Sequence, residues 1–220
     1  ITAVSYIEAI GNYPRKIKII WNPHQDTRVI GYIIEKKDSK GNWDKLADIN
    51  NRLLVEYLDT KLEDNATHEY RIFAYNVNKT LSLPSQIVSA TTKPKPTPIS
   101  NFTASNNIPK QITLKWDLHQ NPEVTQYNLF RSNFESNFFS KLATIPNNTN
   151  TYQDIIDDNG KQYYYKITAT DKDGIESLET GPIIGTTLGL PNTPLITYAQ
   201  IEGNSAVIRW NPQDNRAVEY

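Results

Sequence analysis

Histidines offer the most versatile chemistry in this sequence, and there are three of them, His24, His68 and His119. His24 and His119 stand at equivalent places, each three residues after a tryptophan. A metal ligand or a catalytic base would seldom recur in two copies of a repeat, so this equivalence favours inherited loop structure. His24 and Asp26 together offer only two ligands, whereas a transition-metal site normally takes three or four from the protein. We therefore expect neither a metal nor a cofactor.

Paired carboxylates are the second group with chemical potential, and they occur at Glu63–Asp64 and Asp157–Asp158. Each pair is followed by Asn and a small residue, a composition typical of turns in which Asp and Asn bond to nearby backbone. General acid–base catalysis needs carboxylates that face each other across a cleft, which a surface turn does not supply. The sequence also lacks cysteine, a GxSxG elbow, a phosphate-binding loop and a dinucleotide fingerprint. We predict that the protein is not an enzyme.

The segment from Trp21 to Val29 carries the most informative polar pattern. In it His24, Asp26 and Arg28 alternate, so three hydrogen-bonding groups would project to one side of an extended loop. A purely structural interpretation is equally open. The tryptophan and the valine suit a core, and Pro23 and Asp26 are good turn formers whether or not anything binds.

Aromatic residues suggest a second surface. Phe134, Phe138 and Phe139 fall between two predicted strands, where a loop is expected to be polar. They either form an exposed contact patch or tuck beneath the sheet edge, and both alternatives stay open. Strand alternation sends Tyr163 and Tyr165 to one face, which favours core-facing tyrosines over a stacking platform for sugars or bases.

Composition excludes several partner classes. The 220 residues carry 23 Lys plus Arg against 24 Asp plus Glu, so no basic excess exists to neutralise a phosphate backbone, and nucleic acid is not an expected partner. The apolar runs fall far short of the roughly 20 residues that span a bilayer. We expect a monomeric chain with no membrane span in this segment.

The candidate residues lie in a repeated framework. Tryptophans recur at Trp21, Trp116 and Trp210, after 95 and 94 residues, and each closes an alternating run such as Lys16–Trp21. Alternation with β-branched residues predicts half-buried strands, and the remaining runs give seven short strands per module. Alternate prolines in Lys93–Pro98 predict a stiff linker that places modules end to end with few contacts.

Each repeat resembles a fibronectin type III module. The resemblance rests on the tryptophan that closes the second strand and on two patterns of the sixth strand, Tyr70-x-x-x-Ala74-x-Asn76 and Tyr165-x-x-x-Ala169-x-Asp171. In that family a tyrosine six residues before the alanine forms a corner hydrogen bond. Tyr163 fits this position, and His68 occupies it in the first module.

The resemblance implies an all-β fold of tandem seven-stranded antiparallel β-sandwiches, which are immunoglobulin-like in architecture. It implies complete modules at residues 1–93 and 94–188, followed at 189–220 by the N-terminal part of a truncated third module. In the third copy we expect strands at Ile196–Glu202 and Ser205–Trp210.

The loop after Trp21 resembles the W-x-P-H-x-D-x-R-V stretch of bacterial fibronectin-like surface lipoproteins, which are adhesins. This resemblance implies a bacterial surface protein held at the outer membrane by an N-terminal lipid anchor, with host fibronectin or another extracellular-matrix protein as its partner. It assigns ligand binding to a set of five residues, namely Pro23, His24, Asp26, Arg28 and Val29. The alternative is that the modules are passive spacers of a larger secreted or surface protein, such as a polysaccharide-active enzyme.

Overall fold

The computed structural model describes residues 1–216, and the regular structure in this range consists entirely of β-strands. The described chain divides into two compact units, formed mainly by residues 1–96 and by residues 97–216. No helix that could cross a membrane occurs in this part of the chain.

The first module is a sandwich of seven antiparallel strands. One sheet has three strands in the order β1-β2-β5, and the other has four in the order β4-β3-β6-β7. The strands are β1 (Ile7–Tyr13), β2 (Lys16–Trp21), β3 (Val29–Lys37), β4 (Trp43–Ile49), β5 (Glu56–Thr60), β6 (Thr67–Asn76) and β7 (Val88–Thr91).

The second module repeats this arrangement, with sheets in the order β12-β9-β8 and β11-β10-β13-β14. Its strands are β8 (Thr103–Ala104), β9 (Gln111–Lys115), β10 (Val124–Ser132), β11 (Ser140–Pro146), β12 (Thr151–Ile155), β13 (Gln162–Asp171) and β14 (Thr180–Thr186). The predicted fold class, tandem seven-stranded antiparallel β-sandwiches, is confirmed.

A hairpin of β15 (Leu195–Glu202) and β16 (Ser205–Asn211) follows, as predicted for the start of a third copy. In the hairpin Ile196 pairs with Trp210, just as Ile7 pairs with Trp21 in the first module. Trp210 is nevertheless exposed, because no second sheet covers this hairpin within residues 1–216.

Side-chain alternation explains how the two complete cores form. On β2 the residues Ile17, Ile19 and Trp21 are buried while the residues between them are not. Burying an isoleucine of this kind is worth roughly 1.5–3 kcal/mol, so the alternation fixes which face of the strand turns inward. Trp21 then packs edge-on against Tyr32 of the opposite sheet, with ring centroids 5.3 Å apart. The predicted burial of the strand-closing tryptophan is confirmed here.

The second core is built in the same way. Ile112 and Leu114 of β9 are buried, and Trp116 packs edge-on against Tyr127 at 5.6 Å. Trp116 is buried, as Trp21 is. The indole Nε1 atoms of Trp21 and Trp116 both lie buried without a hydrogen-bond partner among the described residues.

A buried polar bridge joins the two sheets of the first module. The Tyr70 hydroxyl donates to Asp59 Oδ2 at 2.8 Å, and Lys36 Nζ donates to the same oxygen at 3.0 Å. Burial, together with the hydrogen bond to Asp59, raises the pKa of Tyr70. The bridge therefore holds a neutral phenol against a carboxylate that a lysine compensates.

The second module contains the same bridge. Tyr165 donates to Asp154 Oδ2 at 2.7 Å, and Arg131 Nη1 reaches both Asp154 oxygens at 2.9 and 3.0 Å. This inter-sheet bond to an aspartate is made by the tyrosine four residues before the alanine, and not by the residue six before it, Tyr163 or His68. Tyr70 and Tyr165 can bond across the sandwich because their side chains point into the core beside an aspartate of the facing sheet.

Candidate ligand-binding loop

The loop of residues 22–28 connects β2 to β3 in the first module, between the buried side chains of Trp21 and Val29. His24 anchors the loop from within and is only 7% exposed. Its Nδ1 accepts the Asp26 N–H at 3.0 Å, which leaves the ring proton on Nε2 to be donated to the Thr2 carbonyl at 3.0 Å. The imidazole is therefore a fixed structural element that joins the loop to the N-terminal segment.

The backbone of His24 is held as firmly as its ring. Its N–H donates to the Tyr32 hydroxyl at 2.8 Å, and that hydroxyl donates in turn to the Arg52 carbonyl at 3.0 Å. Buried backbone groups need such partners, since an unpaired one costs about as much as a lost hydrogen bond. The expected projection of His24 to the same side as Asp26 and Arg28 is accordingly wrong.

Asp26 closes the turn and also holds Arg28. Its Oδ1 accepts the Arg28 N–H at 3.0 Å, and its carbonyl accepts the Val29 N–H at 3.1 Å. The Arg28 guanidinium donates from Nε to both carboxylate oxygens, at 3.0 and 3.1 Å, and from Nη2 to Oδ2 at 2.6 Å. These hydrogen bonds lower the pKa of Asp26 and raise the pKa of Arg28. The two groups form a forked ion pair that stays charged at any physiological pH.

The Arg28 side chain is 80% exposed. Its Nη1 makes no hydrogen bond among the described residues and so remains available as a donor. Pro23 is also exposed, whereas Val29 lies in the core. Of the five residues that the resemblance assigned to ligand binding, the structure leaves Pro23, Asp26 and Arg28 at the surface.

The matching loop of the second module shows which contacts of the 22–28 loop are structural and which depend on its charged residues. His119 repeats the anchor, since its Nδ1 accepts the Asn121 N–H at 2.9 Å and its Nε2 bonds to the Thr97 carbonyl at 3.0 Å. Asn121 Oδ1 accepts the Glu123 N–H at 2.9 Å, as Asp26 does for Arg28. An uncharged amide therefore forms the same turn, and the forked pair of the first module adds nothing that the turn requires.

The third copy uses its acid and arginine differently. Arg216 forms a forked pair with Asp214, but the guanidinium also donates from Nη1 to the Gly189 carbonyl at 3.1 Å and from Nη2 to the Leu190 carbonyl at 3.3 Å. This arginine ties its loop to the preceding linker, which is the task that His24 performs in the first module.

Two further loops lie beside the 22–28 loop. The β4–β5 connection is joined to it by Arg52, whose Nη1 donates to the His24 carbonyl at 3.3 Å. The β6–β7 connection begins at Asn76, which pairs with Val29. Both connections carry exposed aliphatic side chains, namely Leu53, Leu54, Val77 and Leu81.

Sequence reasoning missed this apolar component. The exposure of these leucines could have been predicted, because Leu53 and Leu54 stand in a turn that Asn51 caps through its side-chain oxygen. Leu53 is 70% exposed. The matching connection in the second module is the polar run Asn147–Asn150, so an apolar connection at this place is a feature of the first module.

Comparisons with known proteins concern the architecture. No protein-family model and no curated protein sequence matches this chain. Among solved structures it is similar to the FN1–FN3 domains of chicken CNTN1, with 14% identity and a TM-score of 0.40 over 83% of this chain. It is also similar to a two-domain fibronectin type III segment of chicken tenascin, with 11% identity and a TM-score of 0.38 over 80% of this chain. The chain covers 66% of the CNTN1 segment and 95% of the tenascin segment.

Proposed function

We propose that this chain is a non-enzymatic binding segment of a bacterial surface protein, and that its first module binds host fibronectin through the 22–28 loop. Attachment to the outer membrane by an N-terminal lipid anchor is part of the same proposal. The observation that carries it is the Asp26–Arg28 pair, which is exposed on a loop already fixed by His24. Because the loop is ordered in advance, a partner pays little entropy to engage it.

The pair is better suited to recognition than to stability. Exposed ion pairs contribute little to folding, with a median near 0–1 kcal/mol, and Asn121 shows that the turn forms without a carboxylate. Arginine is in contrast enriched among the residues that dominate protein–protein interfaces. Arg28 keeps a free Nη1 on a loop that Arg52 joins to the connection exposing Leu53 and Leu54, a combination that fits a partner segment with an acidic group next to apolar side chains.

The alternative function is that of a passive spacer in a larger secreted or surface protein. One observation favours it independently of any ligand. Each complete module closes its core with buried inter-sheet bridges, Lys36–Asp59–Tyr70 and Arg131–Asp154–Tyr165, which suit a rigid mechanical element. The spacer function needs no recognition loop. Substitutions in the 22–28 loop would therefore weaken ligand binding under the first proposal and leave the spacer function unaffected.

The test is a double substitution in the full chain, Asp26→Asn with Arg28→Ala. Asparagine preserves the turn in the way that Asn121 does, so we expect an unchanged thermal melt and binding to immobilised fibronectin at least about tenfold weaker. The matched control is Asn121→Asp in the second module, which adds a carboxylate to the same kind of turn and should leave binding as it is. Unchanged binding by the double variant would give the spacer function the lead.

A further inference from the structure

The β10–β11 loop of the second module, residues 133–139, exposes two phenylalanines. Phe134 is 57% exposed and Phe138 is 78% exposed, and their rings meet edge-on with centroids 5.7 Å apart. Phe139 instead lies beneath Lys166, whose Nζ sits 4.3 Å from its ring centroid. The structure thus separates the three aromatics, with one tucked against the sheet and two presented to solvent, an arrangement that marks contact sites.

The loop holds these rings in a defined geometry. The Ser132 hydroxyl donates to the Asn137 carbonyl at 2.7 Å and accepts the Phe134 N–H at 2.9 Å, which closes the loop on itself. Phe138 has φ of 57°, in the left-handed region that large side chains rarely adopt. Asn or Gly would relieve that strain, and strained residues of this kind cluster at functional sites.

A surface cavity of about 190 Å³ opens next to Phe138. Its other walls are polar and come from Arg131, Ser132, Asn133, Ser140 and Tyr163. Arg131 lies over the Tyr163 ring, 4.8 Å from its centroid, and its charge is offset by Asp154. The cavity therefore offers an amide, hydroxyl groups and little net charge, and the exposed ring of Phe138 stands at its edge.

The residues that line the cavity indicate which class of ligand it can bind. An apolar protein side chain would leave the amide and the hydroxyls unpaired, which is costly once water is excluded. An anion would find the guanidinium already neutralised by Asp154. A pyranose ring has an apolar C–H face for the phenyl ring and hydroxyl groups around its edge for the polar wall. At about 190 Å³ the cavity is smaller than a drug-sized site of roughly 300–1,000 Å³, and so it is suited to a single ring.

The first module provides an internal comparison. Its β3–β4 loop has five residues, 38–42, and closes through Asp38 Oδ1, which accepts the N–H groups of Lys40 at 2.8 Å and Asn42 at 2.7 Å. Gly41 takes the left-handed position there, with φ of 90°. The first module thus makes this connection without an aromatic residue, so the phenylalanines are no requirement of the fold.

We propose that the β10–β11 loop and its adjoining cavity bind a neutral pyranose unit of an oligosaccharide, with the ring stacked on Phe138 and its hydroxyl groups on Asn133 and Tyr163. This site belongs to the second module and is independent of the 22–28 loop. Single-ring sites of this kind bind weakly, with Kd on the order of 1 mM.

The test is an NMR titration of the full chain with neutral oligosaccharides built on glucose, galactose, mannose and N-acetylglucosamine. We expect saturable shifts of the Asn133 and Ser140 amides with at least one probe. Phe138→Asn removes the ring while keeping a residue that tolerates positive φ, and it should weaken binding about tenfold. Ile155→Ala, an exposed apolar position on β12 of the same module, should leave binding unchanged.

Three results would overturn the proposal. One is the absence of a saturable shift with every probe up to concentrations on the order of 10 mM. Another is unaltered binding by the Phe138→Asn variant. The third is binding of the chain to phosphatidylcholine vesicles that depends on Phe138, in the absence of any sugar binding.

Discussion

His68 occupies, in the first module, the place that Tyr163 holds in the second. Burial and, after it, the positive charge of Lys36 lower the pKa of His68, so the folded module favours the neutral ring. The Nε2 atom of this ring is buried without a hydrogen-bond partner among the described residues. A proton on His68 would thus be accepted more readily by the unfolded chain than by the folded one.

This asymmetry predicts acid sensitivity of the first module. A lowered folded-state pKa contributes stability that is fully present above the unfolded value of about 6.5 and is lost as pH falls through the folded value. We expect the melting temperature to drop between pH 7.5 and pH 5. His68→Tyr, which copies Tyr163, should reduce that drop, since the other two histidines are the same in both proteins. An identical pH dependence in the variant would contradict this account.

Trp116 follows strand β9 directly and belongs to the second core. Trp116 is buried and packs on Tyr127, so replacing it by Ala should cost roughly 3–5 kcal/mol. The measurement is denaturant unfolding of the full chain, with Ile155→Ala as an exposed control expected to stay within about 0.5 kcal/mol. Loss of less than about 1 kcal/mol in Trp116→Ala would show that this strand does not carry the core.

Strand alternation made most of the elements predictable. The runs ending at Trp21 and Trp116 face the core as expected, because a shift of one residue would turn their isoleucines to solvent. The run Leu54–Tyr57 has the composition of a strand, but β5 begins only at Glu56. The β-branched and aliphatic residues there read as a strand, but Asn51 caps a turn that carries both leucines into a loop.

Loop side chains were harder to predict than strands. Alternation suggested that His24 would point outward with Arg28, yet its ring turns inward to satisfy the Asp26 N–H and the Thr2 carbonyl. A local sequence pattern does not show that a backbone group far away in the sequence, such as the Thr2 carbonyl, needs a hydrogen-bond partner. The repeated position of His24 and His119 did carry that information, because both rings anchor their loops to the preceding segment.

At the scale of the whole molecule, two modules with one fold present different surfaces. The first module adds the exposed arginine of its 22–28 loop and the leucines of its β4–β5 connection to a shared frame, and the second adds two phenylalanines. Where two modules share one fold, the surface residues that differ between them are the candidates for function, and the shared fold serves as the control.

The exchange of a single loop tests the central claim most directly. Residues 22–28 and 117–123 have equal length, and both are anchored by a histidine to the preceding segment. Replacing the first loop by the sequence of the second, in the full chain, should leave the thermal melt unchanged and reduce solid-phase binding to immobilised fibronectin at least about tenfold. Fibronectin binding at the level of the parent chain, with an intact melt, would contradict the account and leave the Asp26–Arg28 pair without a role in recognition.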